Sequence, residues 1–103
     1  MVAKIIALYK QPADPKAFDA KYFNEHVPIA KEIPGLQLLE ISRVLGAPDG
    51  KPEYHLMVEL YFESIDAAKA GLESPEGEAA RKHAQSFAGD LLSLMFAEVD
   101  SKE

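Results

Sequence analysis

The apolar positions of this chain change period several times, and each change marks an element. Residues 2 to 10, VAKIIALYK, are rich in β-branched and aromatic side chains and too short for a stable helix, so they predict a first strand. QPADP then turns the chain, and Asp14 before Pro15 marks a helix start: the Asp side chain accepts from free N–H groups, and proline gives up an N–H that has no partner there. Phe18, Tyr22 and His26 recur at every fourth residue, with Ile29 and Ile33 extending the stripe. The pattern predicts a helix from 15 to about 26 that changes direction near Pro28 and stops at Pro34–Gly35. LQLLEISRVL (36 to 45) and EYHLMVELYF (53 to 62) read as two strands, joined through the turn-rich GAPDGKP into an antiparallel hairpin. Ser64 caps a short helix from 65 to about 72. Ser74–Pro75 opens another, in which Ala80, His83, Ala84 and Phe87 share a face and which Gly89 ends. DLLSLMFAEV (90 to 99) is the fourth strand, and SKE is a polar tail.

The order β-α-β-β-α-β predicts an α+β domain of the ferredoxin-like type, an antiparallel four-stranded sheet with helices on one face. With helices on one side, the other face should be polar in a monomer. Yet strand 4 sends Leu92, Leu94 and Phe96 one way and Leu91, Met95, Ala97 and Val99 the other, and strand 1 sets Ile6 and Leu8 against Ile5, Ala7 and Tyr9. In strand 3 the apolar row Tyr54, Leu56, Val58, Leu60 and Phe62 should face the helices, leaving His55, Met57, Glu59 and Tyr61 on the open side. Two open faces brought together make a symmetric homodimer, an eight-stranded α+β barrel. Strand 2 is undecided, with Glu40 and Ser42 on one face and Gln37 and Arg43 on the other. Whichever set is buried needs a partner.

A length of 103 residues fits one domain, 1–103. Eleven Lys and Arg against 17 Asp and Glu give a charge of −6 without a basic block, which repels nucleic acid and anionic lipid. With no long apolar run and no signal-peptide pattern at the start, the expectation is a cytoplasmic protein without a membrane segment. Cysteine is absent, so thiolate chemistry and disulfides are excluded.

Candidate chemistry centres on YFNEHVPIAKEIPG. Pro28 has no N–H for the carbonyl of Asn24 and biases Val27 away from helical dihedrals, which should open the helix around His26. A freed carbonyl could then accept from the imidazole and fix its tautomer, as a directed acid or base requires. Set against this is a packing role, His26 closing the kink; Tyr22 and Tyr9 likewise read either as core or as groups that hold a substrate oxygen. His55 and His83 fall 29 and 28 residues after the preceding histidine, with His55 expected on the open face, so no metal site is predicted.

LYKQPADPKAFDAKYFNEHVPIAKEIPGL, ISRVLG and VELYFESIDAAKAGLESPEGEAA closely resemble the EthD family, named for an ethyl tert-butyl ether degradation protein, from Ile5 to Val99. The resemblance implies a dimeric α+β barrel with a ligand cavity between sheet and helices. Its wider superfamily includes cofactor-free oxygenases, cyclases, isomerases, lyases and haem-degrading enzymes, and EthD-like proteins often carry an oxidoreductase label. The family histidine maps onto His26 and its preceding aromatic onto Tyr22. The reading that follows is a protein without a bound cofactor that takes a small, largely apolar carbonyl or phenol. His26 acts as acid or base, Tyr22 orients the oxygen, and Tyr9, Phe18, Leu94 and Phe96 form the wall. The alternative is a non-catalytic carrier or accessory protein of an oxygenase pathway. Haem on His26 is a weaker third reading, disfavoured by the scarcity of basic residues for its propionates.

Overall fold

Strand β1 (Ala3–Lys10) lies inside the sheet of the computed structural model, which describes residues 2–103. Its neighbours are β3 (Tyr54–Phe62) on one side and β4 (Leu92–Glu98) on the other, and β2 (Leu38–Arg43) edges the sheet beyond β3. All three pairings are antiparallel, which gives the ferredoxin-like arrangement expected from the element order. The strict period of two in β1 buries Ala3, Ile5, Ala7 and Tyr9 beneath the helices. Leu56, Val58, Leu60 and Phe62 of β3 join them.

Helices α1 (Pro15–Lys21), α2 (Val27–Ala30), α3 (Ile65–Glu73) and α4 (Pro75–Ala88) form the second layer. The three predicted caps are made: Asp14, Ser64 and Ser74 accept from the backbone of Ala17, Ala67 and Gly77 at 3.0–3.1 Å. The first helix differs from expectation. It does not change direction at Pro28 but runs on to Ala30, with Val27 fully helical at φ −57° and ψ −46°. A π-helical turn, Tyr22–His26, joins its two parts, and the Val27 N–H donates to the carbonyl of Tyr22, five residues back. The wider turn accommodates a proline that an α-helical register would reject, because the ring and the missing donor both concern the carbonyl four residues back.

Register also decides the two questions the strand pattern left open. Arg43 stands opposite Leu56, on the helix side, whereas Glu40 stands opposite Glu59 on the open face. There the Tyr61 hydroxyl lies 2.9 Å from Glu59 and 3.1 Å from Glu40, and Lys4 pairs with Glu59 at 2.7 Å, so the two carboxylates are separated by a donor and offset by a cation. The expected place of His55 is overturned. Tyr9 faces Leu56 and Lys10 faces Tyr54, so His55 is the extra residue of a β-bulge. The bulge breaks the alternation and turns His55 to the helix side, edge-on to Phe18 with ring centroids 5.5 Å apart. Asp19 of α1 there accepts from His55 Nε2 at 2.8 Å and pairs with Arg43 at 3.1 Å, tying the helix to both hairpin strands.

Candidate functional site

Between the sheet and the helices lies a cavity of about 50 Å³, bounded by Ile5, Ala7, Tyr9 and Val58 below and by Tyr22, His26, Ala80 and Ala84 above. Alanines at 80 and 84 leave the α4 side of the cavity short of bulk, and Leu94 of β4 and Arg81 of α4 are also in its lining. Leu94 is on the helix side, opposite Ala7, but as part of an edge strand it remains 45 % exposed.

Three polar groups converge on this apolar space. Tyr9 and Tyr22 are each only 2 % exposed, with ring centroids 5.3 Å apart, and neither hydroxyl has a hydrogen-bond partner among the described residues. No buried polar side-chain atom among the described residues is wholly enclosed without a partner, so each hydroxyl keeps some accessible surface, and both residues line the cavity. Burial holds both well above the usual phenol range, and Tyr22 is raised further by its proximity to Tyr9. They serve as neutral hydrogen-bond donors and acceptors.

His26 is the third group. Its partner is not a backbone carbonyl, as expected from Pro28, because the π-turn keeps the helix closed. Instead its Nδ1 lies 3.0 Å from Nδ1 of His83 on α4. The two rings are inclined by 12° with centroids 5.3 Å apart, the separation that edge-to-edge rings joined by a nitrogen–nitrogen contact of this length adopt in one plane. The shared hydrogen therefore lies along both lone-pair directions. His83 Nε2 in turn lies 3.6 Å from Glu25, on the turn that carries His26. With Nδ1 so engaged, Nε2 of His26 has no partner among the described residues and, by the same test as the tyrosines, keeps some accessible surface. Burial first, and the neighbouring His83 second, lower the His26 pKa to about 4, so the ring is neutral near pH 7.

Of the residues expected at the site, Tyr9, Tyr22, His26 and Leu94 line the cavity. Phe18 and Phe96 do not. Phe18 stacks on Tyr22 at 5.9 Å and backs it from outside, on the wall of a shallow surface hollow shared with Pro12, Lys21 and Phe87. Phe96 is 44 % exposed on β4, opposite Ile5, and takes no part in the lining. His83, Glu25 and Arg81 were not singled out. Helical periodicity did place His83 on the inner stripe of α4, but its pairing with a residue 57 positions away is a tertiary fact. The residues offer little for a haem: Arg81 is the one cation in the lining of the cavity to meet its propionates. Among the described residues, no three His, Asp or Glu side chains are grouped to hold a metal ion.

Residues 10–90 match the EthD domain family. The chain is 42 % identical to an EthD family protein from Bacillus halodurans C-125 whose crystal structure superposes with a TM-score of 0.93, over 96 % of this chain and 99 % of that one. It is 30 % identical, over 95 % of both chains, to an uncharacterised 11.0 kDa protein of Rhodococcus erythropolis encoded in the thcB–thcC intergenic region. A dimeric ferredoxin-like protein of unknown function from Jannaschia shares the fold at 17 % identity and a TM-score of 0.72, over 96 % of this chain and all of the other.

Proposed function

This chain belongs to the EthD domain family, and from that premise we propose that it is a small-molecule enzyme using His26 as a general base on a compact, largely apolar carbonyl or phenol. One observation carries the reading: Tyr9, Tyr22 and His26, whose hydroxyls and Nε2 have no hydrogen-bond partner among the described residues, line one cavity that is otherwise apolar apart from Arg81. A packing site would have enclosed these groups with partners or replaced them with apolar side chains, whereas here each keeps accessible surface. A ligand oxygen between Tyr9 and Tyr22 would be polarised by two donors while Nε2 removes an adjacent proton. Oxidoreductase chemistry would require a co-substrate that accepts electrons; proton abstraction requires nothing beyond these three groups.

The test is α-proton exchange of small ketones, with 2,4-pentanedione and butanone as probes, followed by NMR in D₂O. A positioned base accelerates exchange by about 10²- to 10⁴-fold. His26→Gln should return it to the buffer rate. Equal rates with and without the wild-type protein would refute the assignment.

A carrier or accessory role is the second reading, favoured by the size of the cavity, since about 50 Å³ holds little more than a water or two. In that case a ligand shifts side chains to enter, and its affinity survives loss of His26. In either case we propose a single domain that pairs with a second copy through the open sheet face, where Ile6, Leu8, Met57 and Met95 surround the Lys4–Glu59–Tyr61 cluster. Sedimentation at micromolar concentration reads this directly, and a stable monomer would rule it out.

A further inference from the structure

We propose that His26, His83 and Glu25 form a proton relay from the cavity to the protein surface, so that His26 can take a ligand proton without becoming a cation. The inference rests on the reading of His26 as the cavity base and assigns His83 and Glu25 as its positioning residues.

The hydrogen positions follow from the acceptor at the end of the chain of contacts. The Glu25 carboxylate faces Nε2 of His83 at 3.6 Å, longer than a hydrogen bond, and its charge favours the tautomer that carries the hydrogen on that nitrogen. A neutral His83 is then bare at Nδ1, and the 3.0 Å contact requires His26 to donate from its own Nδ1. That leaves Nε2 of His26 bare toward the cavity. The relay crosses the burial boundary in order: His26 is 6 % exposed, the His83 side chain 18 % and the Glu25 side chain 54 %.

The step balances without an imidazolium. As the ligand's C–H or O–H bond breaks, its proton joins Nε2 of His26 and the electron pair stays on the ligand as an enolate or phenolate. The Nδ1 hydrogen of His26 passes to Nδ1 of His83, and, as the exposed Glu25 side chain closes the 3.6 Å gap to hydrogen-bond length, the Nε2 hydrogen of His83 passes to Glu25. His26 has exchanged one neutral tautomer for the other, which suits a ring whose charged form burial disfavours. The relay resets when Nε2 returns its hydrogen to another atom of the ligand and the Glu25 proton runs back. This points to reactions that restore the proton they remove, namely enolisation, isomerisation or closure of a carbon ring.

Long-range ¹H–¹⁵N correlation of the imidazoles at pH 7.5 tests the hydrogen positions on the whole protein without substrate. The expected spectrum has His26 protonated at Nδ1 and bare at Nε2, and His83 protonated at Nε2. Glu25→Gln, a change at a surface side chain, should mix the His83 tautomers, and His83→Gln should lower ketone α-proton exchange by about tenfold or more. A wild-type His26 protonated at Nε2 overturns the relay, as does wild-type exchange in a folded His83→Gln protein. The two proposals fail separately. The expected tautomers in a protein with no exchange activity refute the enzyme reading, whereas His26-dependent exchange indifferent to His83 and Glu25 refutes the relay.

Discussion

Replacing His26 with glutamine should remove a specific part of the acid sensitivity of the fold. The folded pKa of His26 is about 4, against 6.5 for the free side chain. Between these values the unfolded chain binds a proton that the folded chain does not, so stability rises with pH across this window and is lost as pH falls through it. From pH 7 to pH 4.5 that linkage amounts to about 2.4 kcal/mol. One edge of the ring meets the accessible cavity, and solvent screening there reduces the figure to about 1.5–2 kcal/mol. The titratable groups beside the ring are Tyr22 of the π-turn and His83 of α4, with Tyr9 of β1 and Arg81 of α4 lining the same cavity and Glu25 beyond His83. All are kept in the variant, so their own titration largely cancels. Urea unfolding of both proteins at pH 7 and pH 4.5, at one fixed concentration, gives the double difference. The wild type should lose about 1.5–2 kcal/mol more than the variant. Equal losses within about 0.5 kcal/mol would show that His26 is not held neutral by its surroundings.

Other changes separate site from scaffold. Tyr22→Phe should leave unfolding free energy within about 0.5 kcal/mol, since its hydroxyl bonds nothing among the described residues, yet lower ketone exchange; a larger stability loss would mean that the hydroxyl is structural. Asp19→Ala should cost roughly 1–3 kcal/mol in urea unfolding, because buried His55 loses its acceptor and Arg43 its counter-charge. Gly77→Ala should cost about 1–3 kcal/mol. A Cβ there would collide with the backbone carbonyl of Gly71 across the α3–α4 junction, and an unchanged melting temperature would show that the junction yields.

Local patterns carried much of this molecule. Period-two burial in β1 and β3, three side-chain caps at helix starts, and the spacing of Phe18, Tyr22 and His26 each reflect forces acting within a few residues, and the structure has them where the sequence places them. The EthD resemblance, too, lay in the residues around His26. What the string could not show depends on register and on distance through space. A bulge that adds one residue between Tyr9 and Lys10's partners reverses the face of His55, and nothing local distinguishes it from ordinary alternation. A proline that normally breaks a helix is absorbed by a π-turn because packing on the sheet favours keeping Tyr22 and His26 inside. Above all, the contact that sets the tautomer of His26 comes from His83, 57 residues later, through the packing of α4 beside the π-turn. The sequence alone determined which residue types are available for chemistry; only tertiary packing decided which nitrogen is bonded and which is bare, because hydrogen bonds form between atoms that meet, whatever their separation along the chain.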